Sequence, residues 1–179
     1  FPAVALLGKI QSKHGAYSQA VVTFNSARKR GADASLFARE WADALLATRN
    51  YQTIYEFDEY TQFPVEQQAY WLLARAEACS ALGEERCAKE SYLQRGLLVD
   101  DIEQPLGLAG IAIKARNWKE ANRYLQRARL IDDNDIRVWL ALAQASQGQN
   151  NNAQALEYAN HALAINPEHP LVLRILADL

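Results

Sequence analysis

Residues 139–167 read WLALAQASQGQNNNAQALEYANHALAINP, and the organisation of this stretch decides the fold. Two alanine-rich segments with apolar residues at helical spacing lie on either side of an amide-rich turn at 149–152. Asn166-Pro167 closes the second segment, since a helix usually ends before a proline. The stretch therefore predicts two short helices that turn back on each other.

One column of small residues carries this unit through the whole chain. The column consists of Gly8, Ala42, Ala76, Ala109, Ala143 and Ala177. Successive members are 34, 34, 33, 34 and 34 residues apart, and a period this constant indicates one supersecondary unit copied along the chain. A second column, mostly alanine and twelve residues later, consists of Ala20, Ile54, Ala88, Ala121 and Ala155. Small residues on both sides of a turn suit two helices that cross closely, because larger side chains would push the backbones apart.

This pattern resembles the tetratricopeptide repeat, a helix–turn–helix of 34 residues. The residues that carry the resemblance in the first unit are Leu7, Gly8, Gly15, Tyr17, Ala20, Phe24 and Ala27. Those in the fifth unit are Trp139, Leu142, Ala143, Ala155, Ala162, Asn166 and Pro167. The resemblance implies an all-α fold, a TPR-like α-solenoid built as a right-handed superhelix of helix–turn–helix repeats. It also implies that the first helix of each repeat lines the inner face.

The period divides the chain into five repeats and the start of a sixth. The repeats are predicted at 1–34, 35–68, 69–101, 102–135 and 136–169, followed by a truncated sixth at 170–179. Repeat 2 is degenerate because Ile54, Asp58 and Thr61 occupy packing columns, so we expect its second helix to be short or displaced. The chain contains no Met and stops within a predicted helix, which indicates a segment of a longer array. Four residues near that end are expected to present apolar surface, namely Leu171, Leu173, Ile175 and Leu176.

The composition of the chain limits the kinds of partner that it can bind. The formal net charge is −2 and the sequence pI is about 6.0, whereas a nucleic-acid-binding surface needs a clear excess of Lys and Arg. No apolar run reaches the length of a membrane-spanning helix. We therefore expect no nucleic-acid partner and no membrane insertion. Arg28-Lys29-Arg30 is the densest basic cluster, and it is interpreted as a helix end favoured by the helix dipole, with a phosphate-binding patch as the alternative.

The sequence shows no pattern typical of a catalytic or metal site. His14, His161 and His169 are far apart, and none forms an i,i+4 ligand pair. The carboxylate pairs Glu84-Glu85 and Asp132-Asp133 fall at predicted turns or helix ends, where solvated side chains are expected. Gly-rich phosphate loops and nucleophile elbows are absent from the sequence. We predict a chain that is not an enzyme and that uses no cofactor.

The two cysteines leave two interpretations open. Cys79 lies late in the first helix of repeat 3 and Cys87 lies early in the second, so the hairpin brings them close together. If they form a disulfide, they support the repeat in which Arg75 and Arg95 replace packing residues, and they indicate an oxidising compartment such as the bacterial periplasm. Otherwise they are two small buried thiols that fill packing positions.

The inner face implied by the resemblance supplies the candidate binding site. Its predicted residues share a position on the first helix of a repeat, and they are Lys9, Lys13, Arg39, Asp43, Leu46, Tyr70, Leu73, Glu77, Leu106, Ile113, Lys114, Arg137, Leu140 and Gln144. Apolar patches alternate with charges of both signs, and such a surface suits an extended peptide or a partner helix. Chaperone-binding members of the family grip a terminal carboxylate with Lys and Asn residues, and this chain lacks the Asn residues in that region.

We predict a non-catalytic scaffold that binds a peptide or helix of a protein partner in its groove. The alternatives are a structural, self-associating array that uses its truncated ends, and a polymer-guiding surface in exopolysaccharide export. Residues 6–9, 106–109 and 139–143 also resemble segments of bacterial cell-envelope arrays and lipoproteins of exopolysaccharide export and exosortase systems. That weaker resemblance implies the periplasm or cell envelope, with the cytoplasm as the alternative.

Overall fold

The computed structural model describes residues 2–179, with side chains from residue 3, and that part of the chain is helical without strands. The α-helices, labelled α1 to α11 in order, are Pro2–Lys13, Tyr17–Lys29, Ala38–Ala47, Tyr51–Glu56, Val65–Leu82, Glu85–Leu98, Glu103–Lys114, Trp118–Ile131, Ile136–Gly148, Asn152–Ile165 and Pro170–Ala177. Two short 3₁₀ segments, Ala34–Phe37 and Glu59–Gln62, precede α3 and follow α4. The predicted all-α class is confirmed.

Side chains cap the N-terminal ends of α8 and α9. The Asn117 side chain accepts a hydrogen bond from the backbone N–H of Glu120 at the start of α8. Asp135 accepts from the backbone N–H of Arg137 at 2.9 Å, so α9 begins at Ile136. Both caps satisfy N–H groups that have no partner within the helix.

The helices form two compact units, one that ends at Val99 and one that spans Asp100–Leu179. In the first unit α1 packs on α2, α5 packs on α6, and the first helices contact each other in the order α1, α3, α5. In the second unit α7 packs on α8, α9 packs on α10, and α7, α9 and α11 follow the same order. Each unit is therefore a stack of helical hairpins in which the first helices form one layer.

Close helix crossings occur where the small columns meet. Ala42, Ala109 and Ala143 are fully buried, and so are Ala121 and Ala155 in the second column. These positions leave no room for a longer side chain because helix packing in protein interiors is dense. The predicted register of the two columns is confirmed at these sites.

The second helix of repeat 2 is short, as predicted. Helix α4 has only six residues and is followed by the 3₁₀ segment Glu59–Gln62. An aromatic cluster fills the space beside it, with Trp41 and Trp71 at a ring-centroid distance of 5.0 Å and Phe57 in contact with both rings. Large side chains thus replace the alanine seam of the other repeats.

Arg28 belongs to this aromatic cluster. Its guanidinium carbon lies 4.6 Å from the ring centroid of Trp41 and 4.6 Å from that of Phe57. Glu59 pairs with the same guanidinium at 3.3 Å. The cation therefore contacts aromatic rings and a carboxylate of its own unit, which favours the structural interpretation of the basic cluster over a phosphate-binding patch.

The two arginines in packing columns of repeat 3 make polar contacts with neighbouring helices. Arg75 donates to the Oγ of Ser91 and to the backbone carbonyl of Tyr55, both at 3.5 Å. Arg95 is buried and donates to the backbone carbonyl of Ala69. These contacts offset part of the cost of burying two charged groups in a helical seam.

The core of the second unit extends further along α9 and α11 than the sequence predicts. Leu142 and Val172 lie in this core, and Ile175 is also buried within it. The expectation that Ile175 presents apolar surface is wrong, because α11 turns this residue towards the core that it shares with α9. Leu171 and Leu173 are exposed as expected.

Candidate functional site

Eight of the predicted binding residues lie on α1, α3 and α5, which are neighbouring first helices of the first unit. They are Lys9, Lys13, Arg39, Asp43, Leu46, Tyr70, Leu73 and Glu77, and we call this set the first-helix face. Lys13, Arg39 and Glu77 are exposed, and the other five are partly buried. No contact with a partner tests their role in binding, which remains a prediction.

Three of these residues form a cluster that joins α3 to α5. The Arg39 guanidinium carbon lies 4.8 Å from the ring centroid of Tyr70. The Tyr70 hydroxyl donates a hydrogen bond to the Oδ1 of Asp43. Because Arg39 and Asp43 are one helical turn apart on α3, they hold the Tyr70 ring between a cation and a hydrogen-bond acceptor. The cluster therefore presents an oriented aromatic ring on the first-helix face.

The environment of Tyr70 shifts its titration. Burial raises the pKa of the Tyr70 hydroxyl to about 12, and the hydrogen bond to Asp43 and its negative charge act in the same direction. Arg39 opposes this shift because its positive charge favours the phenolate. Tyr70 therefore stays neutral, as a hydrogen-bond donor, throughout the physiological pH range.

A cleft of about 460 Å³ opens beside this cluster, between α1, the start of α2 and α3. Its lining consists of Ser12, Lys13, Tyr17, Glu40, Asp43, Leu46 and Ala47. Lys9 pairs with Glu40 at 3.5 Å, so one carboxylate of the cleft already has a cation nearby. The lining combines the apolar side chains of Leu46 and Ala47 with hydrogen-bonding and charged groups, which is a common composition for sites that take a side chain of a bound peptide.

In the second unit the structure corrects one predicted site residue. Leu140 is only 7% exposed and lies in the core with Leu142 and Val172, so it is not available to a partner. Helix α9 contacts the first helices α7 and α11, and Leu140 belongs to the buried core of this unit. Of the remaining predictions, Leu106 and Ile113 are partly buried against the same core. Three residues are exposed, namely Lys114, Arg137 and Gln144.

Arg137 is engaged by two carboxylates. Its Nη1 and Nη2 atoms donate to the two oxygens of Glu103 at 3.1 and 2.8 Å. Its Nε donates to Asp135, and this contact lowers the pKa of the Asp135 carboxyl and raises that of Arg137. The two carboxylates hold the guanidinium across the N-terminal ends of α7 and α9. The predicted ligand-binding role of Arg137 would require a partner to compete with these contacts.

A second cleft, of about 800 Å³, lies in the second unit and was not predicted from the sequence. Its lining consists of Arg129, Asp133, Asn134, Trp139, His161, Ala164 and Ile165. His161 stacks on Trp139 with ring centroids 4.3 Å apart, and the Trp139 indole N–H donates to the carbonyl of Asp133 at 2.6 Å. One repeat earlier, at equivalent positions, Asp100 and Arg127 form an ion pair at 3.1 Å. The replacement of that charged pair by Asn134 and His161 is the sequence signal that could have indicated this cleft.

The cysteines lie at the hairpin turn of repeat 3. Cys79 and Cys87 form a disulfide in the structure, with their Cα atoms 5.8 Å apart. Helix α5 ends at Leu82. The next residue, Gly83, has a φ of 81° in the left-handed region that glycine adopts readily, and this turn brings the two cysteines together. The bond links the end of α5 to the beginning of α6.

Within residues 2–179, no three His, Cys, Asp or Glu side chains lie close enough together to hold a metal ion. The helices in this range are also too short or too polar to cross a membrane.

Sequence and structure comparisons identify the fold. Residues 136–179 match the sequence profile described as "Tetratricopeptide repeat". The chain superimposes on the crystal structure of YrrB, a TPR protein with an unusual peptide-binding site, with a TM-score of 0.70 at 14% identity. That alignment covers 98% of this chain and 91% of YrrB. The chain folds as a tetratricopeptide repeat array.

Two further solved structures share the tetratricopeptide repeat fold of this chain. MamA matches with a TM-score of 0.72 at 11% identity, over 94% of this chain and 94% of that protein. PilF of Pseudomonas aeruginosa matches with a TM-score of 0.53 at 15% identity, over 99% of this chain and 97% of that protein. No curated protein sequence gave a significant match. These matches do not test the weaker resemblance to envelope arrays, which stays a prediction.

Proposed function

We propose that this tetratricopeptide repeat array is a non-catalytic protein-interaction scaffold that binds a peptide or helix of a partner on its first-helix face. The observation that carries the proposal is the cluster of Arg39, Asp43 and Tyr70 beside the cleft of about 460 Å³. The tetratricopeptide fold is generally a protein-interaction module, and the similar protein YrrB is described as having a peptide-binding site.

The chemistry of the first-helix face favours a polypeptide ligand. Leu46 and Leu73 supply partly buried apolar surface, and the exposed Lys13 and Glu77 supply charges of opposite sign. The Tyr70 hydroxyl donates its proton to Asp43, so the hydroxyl oxygen and the Asp43 carboxylate provide acceptors for a bound chain, and the Lys13 ammonium provides a donor. An extended peptide offers the matching set of backbone N–H and C=O groups with alternating side chains.

We further propose that the scaffold works in the periplasm or another part of the cell envelope. The disulfide between Cys79 and Cys87 supports this location, because disulfides persist in oxidising compartments and are rare in the cytosol. The weaker resemblance to bacterial envelope arrays is consistent with the same location. A role in an envelope assembly would place the protein partner in that compartment as well.

Site-specific cross-linking tests the binding surface. A photoreactive amino acid is introduced at Glu77 on the first-helix face or at Glu90 on α6, both of which are exposed. The variants are irradiated in extract of the source organism, and the products are identified by mass spectrometry. We expect a discrete partner peptide cross-linked from position 77 and not from position 90. Equal yields of the same product from both positions would contradict the proposed surface.

Charge reversal then tests affinity for the identified peptide. Lys13→Glu places a negative charge in the cleft, and Lys29→Glu is its control because both lysines are exposed and lie in the last turn of a helix. Both variants therefore experience the same helix-dipole effect. Isothermal titration calorimetry should show affinity reduced about tenfold by Lys13→Glu and unchanged by Lys29→Glu. Equal affinities of the two variants would exclude the cleft from the binding site.

A further inference from the structure

The cleft of about 800 Å³ in the second unit lies where α8 and α10 end and α9 begins. Arg129 is in the last turn of α8, Ala164 and Ile165 are in the last turn of α10, and Trp139 is in the first turn of α9. Both α8 and α10 pack on α9, so three consecutive helices bound the cleft. Its volume is in the range of sites that hold a small ligand or an anchoring side chain of a partner.

The apolar wall of this cleft is a property of its position in the repeat. Ile165 is 40% exposed, and Ile131, exactly one repeat earlier, is 39% exposed although three helices follow it. What distinguishes the later position is the polar side chain beside it. At the earlier position Arg127 is held in an ion pair with Asp100, whereas the equivalent of Arg127 here is His161, which lines an open cleft.

The His161 imidazole forms an oriented aromatic platform in the cleft. One of its faces stacks on the Trp139 ring, with an angle of 18° between the two planes. Trp139 is itself held in place, because it is buried and its indole N–H donates to the carbonyl of Asp133. Since His161 is exposed and lines the cleft, its other face is accessible to a ligand. A second ring could therefore extend the stack without a rearrangement of the cleft.

The groups around this platform favour a neutral ligand with a polar tip. Besides the imidazole, the lining carries one cation, Arg129, and one carboxylate, Asp133, so an acidic ligand would meet Asp133 and a basic ligand would meet Arg129. Ala164 and Ile165 offer contact to an apolar body. A phenolic hydroxyl can both donate and accept a hydrogen bond, whereas an indole only donates and a phenyl ring does neither. Of the aromatic side chains, tyrosine therefore matches this lining best.

We propose that this cleft binds a tyrosine side chain of a protein partner. The tyrosine ring stacks on the open face of His161 with its edge against Ile165, and its hydroxyl donates to the Asp133 carboxylate and accepts from Arg129. Tyrosine is among the side chains that dominate the energy of protein interfaces, because its large, rigid ring is buried at a small loss of conformational freedom. The cleft lies in the second unit, so this docking site is additional to the first-helix face and does not rest on peptide binding there.

Titration with capped tripeptides tests the proposed selectivity. The probes are acetyl-Gly-Tyr-Gly-amide and the peptides in which Phe, Leu, Glu or Lys replaces the central Tyr. Binding is followed by NMR through the backbone amide signals of His161 and Ala164 in ¹⁵N-labelled protein. We expect saturable shifts with the Tyr peptide, an affinity for the Leu, Glu and Lys peptides that is lower by about tenfold, and an intermediate affinity for the Phe peptide. Equal affinities for the Tyr and Leu peptides would overturn the proposal.

Two pairs of variants locate the binding of the Tyr peptide. His161→Ala removes the platform, and His14→Ala makes the same change at an exposed histidine of the first unit. Ala164→Lys obstructs the cleft, and Ala153→Lys adds the same group at an exposed position in the first turn of α10. We expect His161→Ala and Ala164→Lys to weaken binding by about tenfold or more and both controls to bind as wild type.

Circular dichroism melts establish that all four variants remain folded. Wild-type affinity in both His161→Ala and Ala164→Lys would refute the cleft as the binding site. Lys13→Glu, which tests the first-helix face, should leave affinity for the Tyr peptide unchanged, because Lys13 lies in the first unit. Failure of the tyrosine site and failure of the proposed peptide binding therefore give different results.

Discussion

Gly8 of α1 lies directly against the Phe24 ring of α2. A methyl group built on the Gly8 Cα would fall 2.5 Å from the Cε1 of Phe24, closer than real Cβ atoms come to a neighbour. The Phe24 ring is itself fully buried, so it has no open space into which to move. The close crossing of α1 and α2 therefore depends on the absence of a side chain at Gly8.

Replacement of this glycine should destabilise the first unit. Gly8→Ala gains helix propensity but forces the buried Phe24 ring away, and overpacking of this kind costs about 1–3 kcal/mol. Gly110→Ala in α7 is the control, because a methyl group there meets nothing within 4 Å. It should stabilise by about 0.5–1 kcal/mol through helix propensity alone. Urea unfolding monitored by circular dichroism measures both changes, and equal stabilisation by the two variants would refute the close crossing.

Tyr70 should titrate well above an ordinary tyrosine. The chain contains 8 Tyr, so the phenolate absorbance of Tyr70 has to be isolated as the difference between wild type and Tyr70→Phe. We expect this difference to show a pKa of about 12, and Asp43→Asn to lower that pKa towards the ordinary value because it removes the negative charge. An ordinary pKa for Tyr70 in the wild type would contradict the observed packing against Asp43.

The same shift predicts how the cluster contributes to stability as the pH changes. Because the folded-state pKa is raised, the contribution of neutral Tyr70 is fully present below the unfolded-state pKa near 10 and is lost as the pH rises towards about 12. Denaturant unfolding at a series of alkaline pH values should therefore show a smaller loss of stability for Tyr70→Phe than for wild type across this window. If the free energy of unfolding fell equally with pH for wild type and Tyr70→Phe, the raised pKa would not belong to Tyr70.

Arg28 should matter for stability, unlike its basic neighbour. Arg28→Ala removes a cation that contacts the Trp41 and Phe57 rings at 4.6 Å, and we expect a loss of about 1–2 kcal/mol from cation–π contact and packing. Lys29→Ala is the control, since Lys29 is exposed and lies in the same helical turn. Thermal unfolding should show a lower melting temperature for Arg28→Ala and an unchanged melting temperature for Lys29→Ala. A phosphate-binding patch would instead be indicated if both variants kept wild-type stability and Arg28→Ala alone lost affinity for inorganic phosphate.

The disulfide should stabilise the hairpin of repeat 3. Closing a loop of this length restricts the unfolded chain by about 2–3 kcal/mol, so a reductant should lower the melting temperature of wild type. The Cys79→Ala, Cys87→Ala double variant is the control, and its melting temperature should not respond to reductant. A thiol probe should label the unfolded protein only after reduction. Free labelling of both cysteines in never-reduced protein from an oxidising compartment would remove the support for an envelope location.

Local sequence was sufficient to predict the features that depend on neighbouring residues. The period of the small columns predicted the repeated helical hairpin. The caps at Asn117 and Asp135 act over the same short range, because a cap bonds to N–H groups within a few residues of itself. The short second helix of repeat 2 was predicted for a related reason, since Asp58 and Thr61 cannot form an apolar helical seam.

Only the tertiary structure decided which face of each helix is covered. The sequence places Leu140 and Arg39 in the same column, yet Leu140 is buried in the core of the second unit, whereas Arg39 is exposed and lies against the Tyr70 ring. The contacts between Tyr70 and Asp43 and between Arg28 and Trp41 join residues that are distant in the chain. Helical spacing determines which residues share a face, whereas the burial and pairing of that face depend on side chains that other helices bring to it.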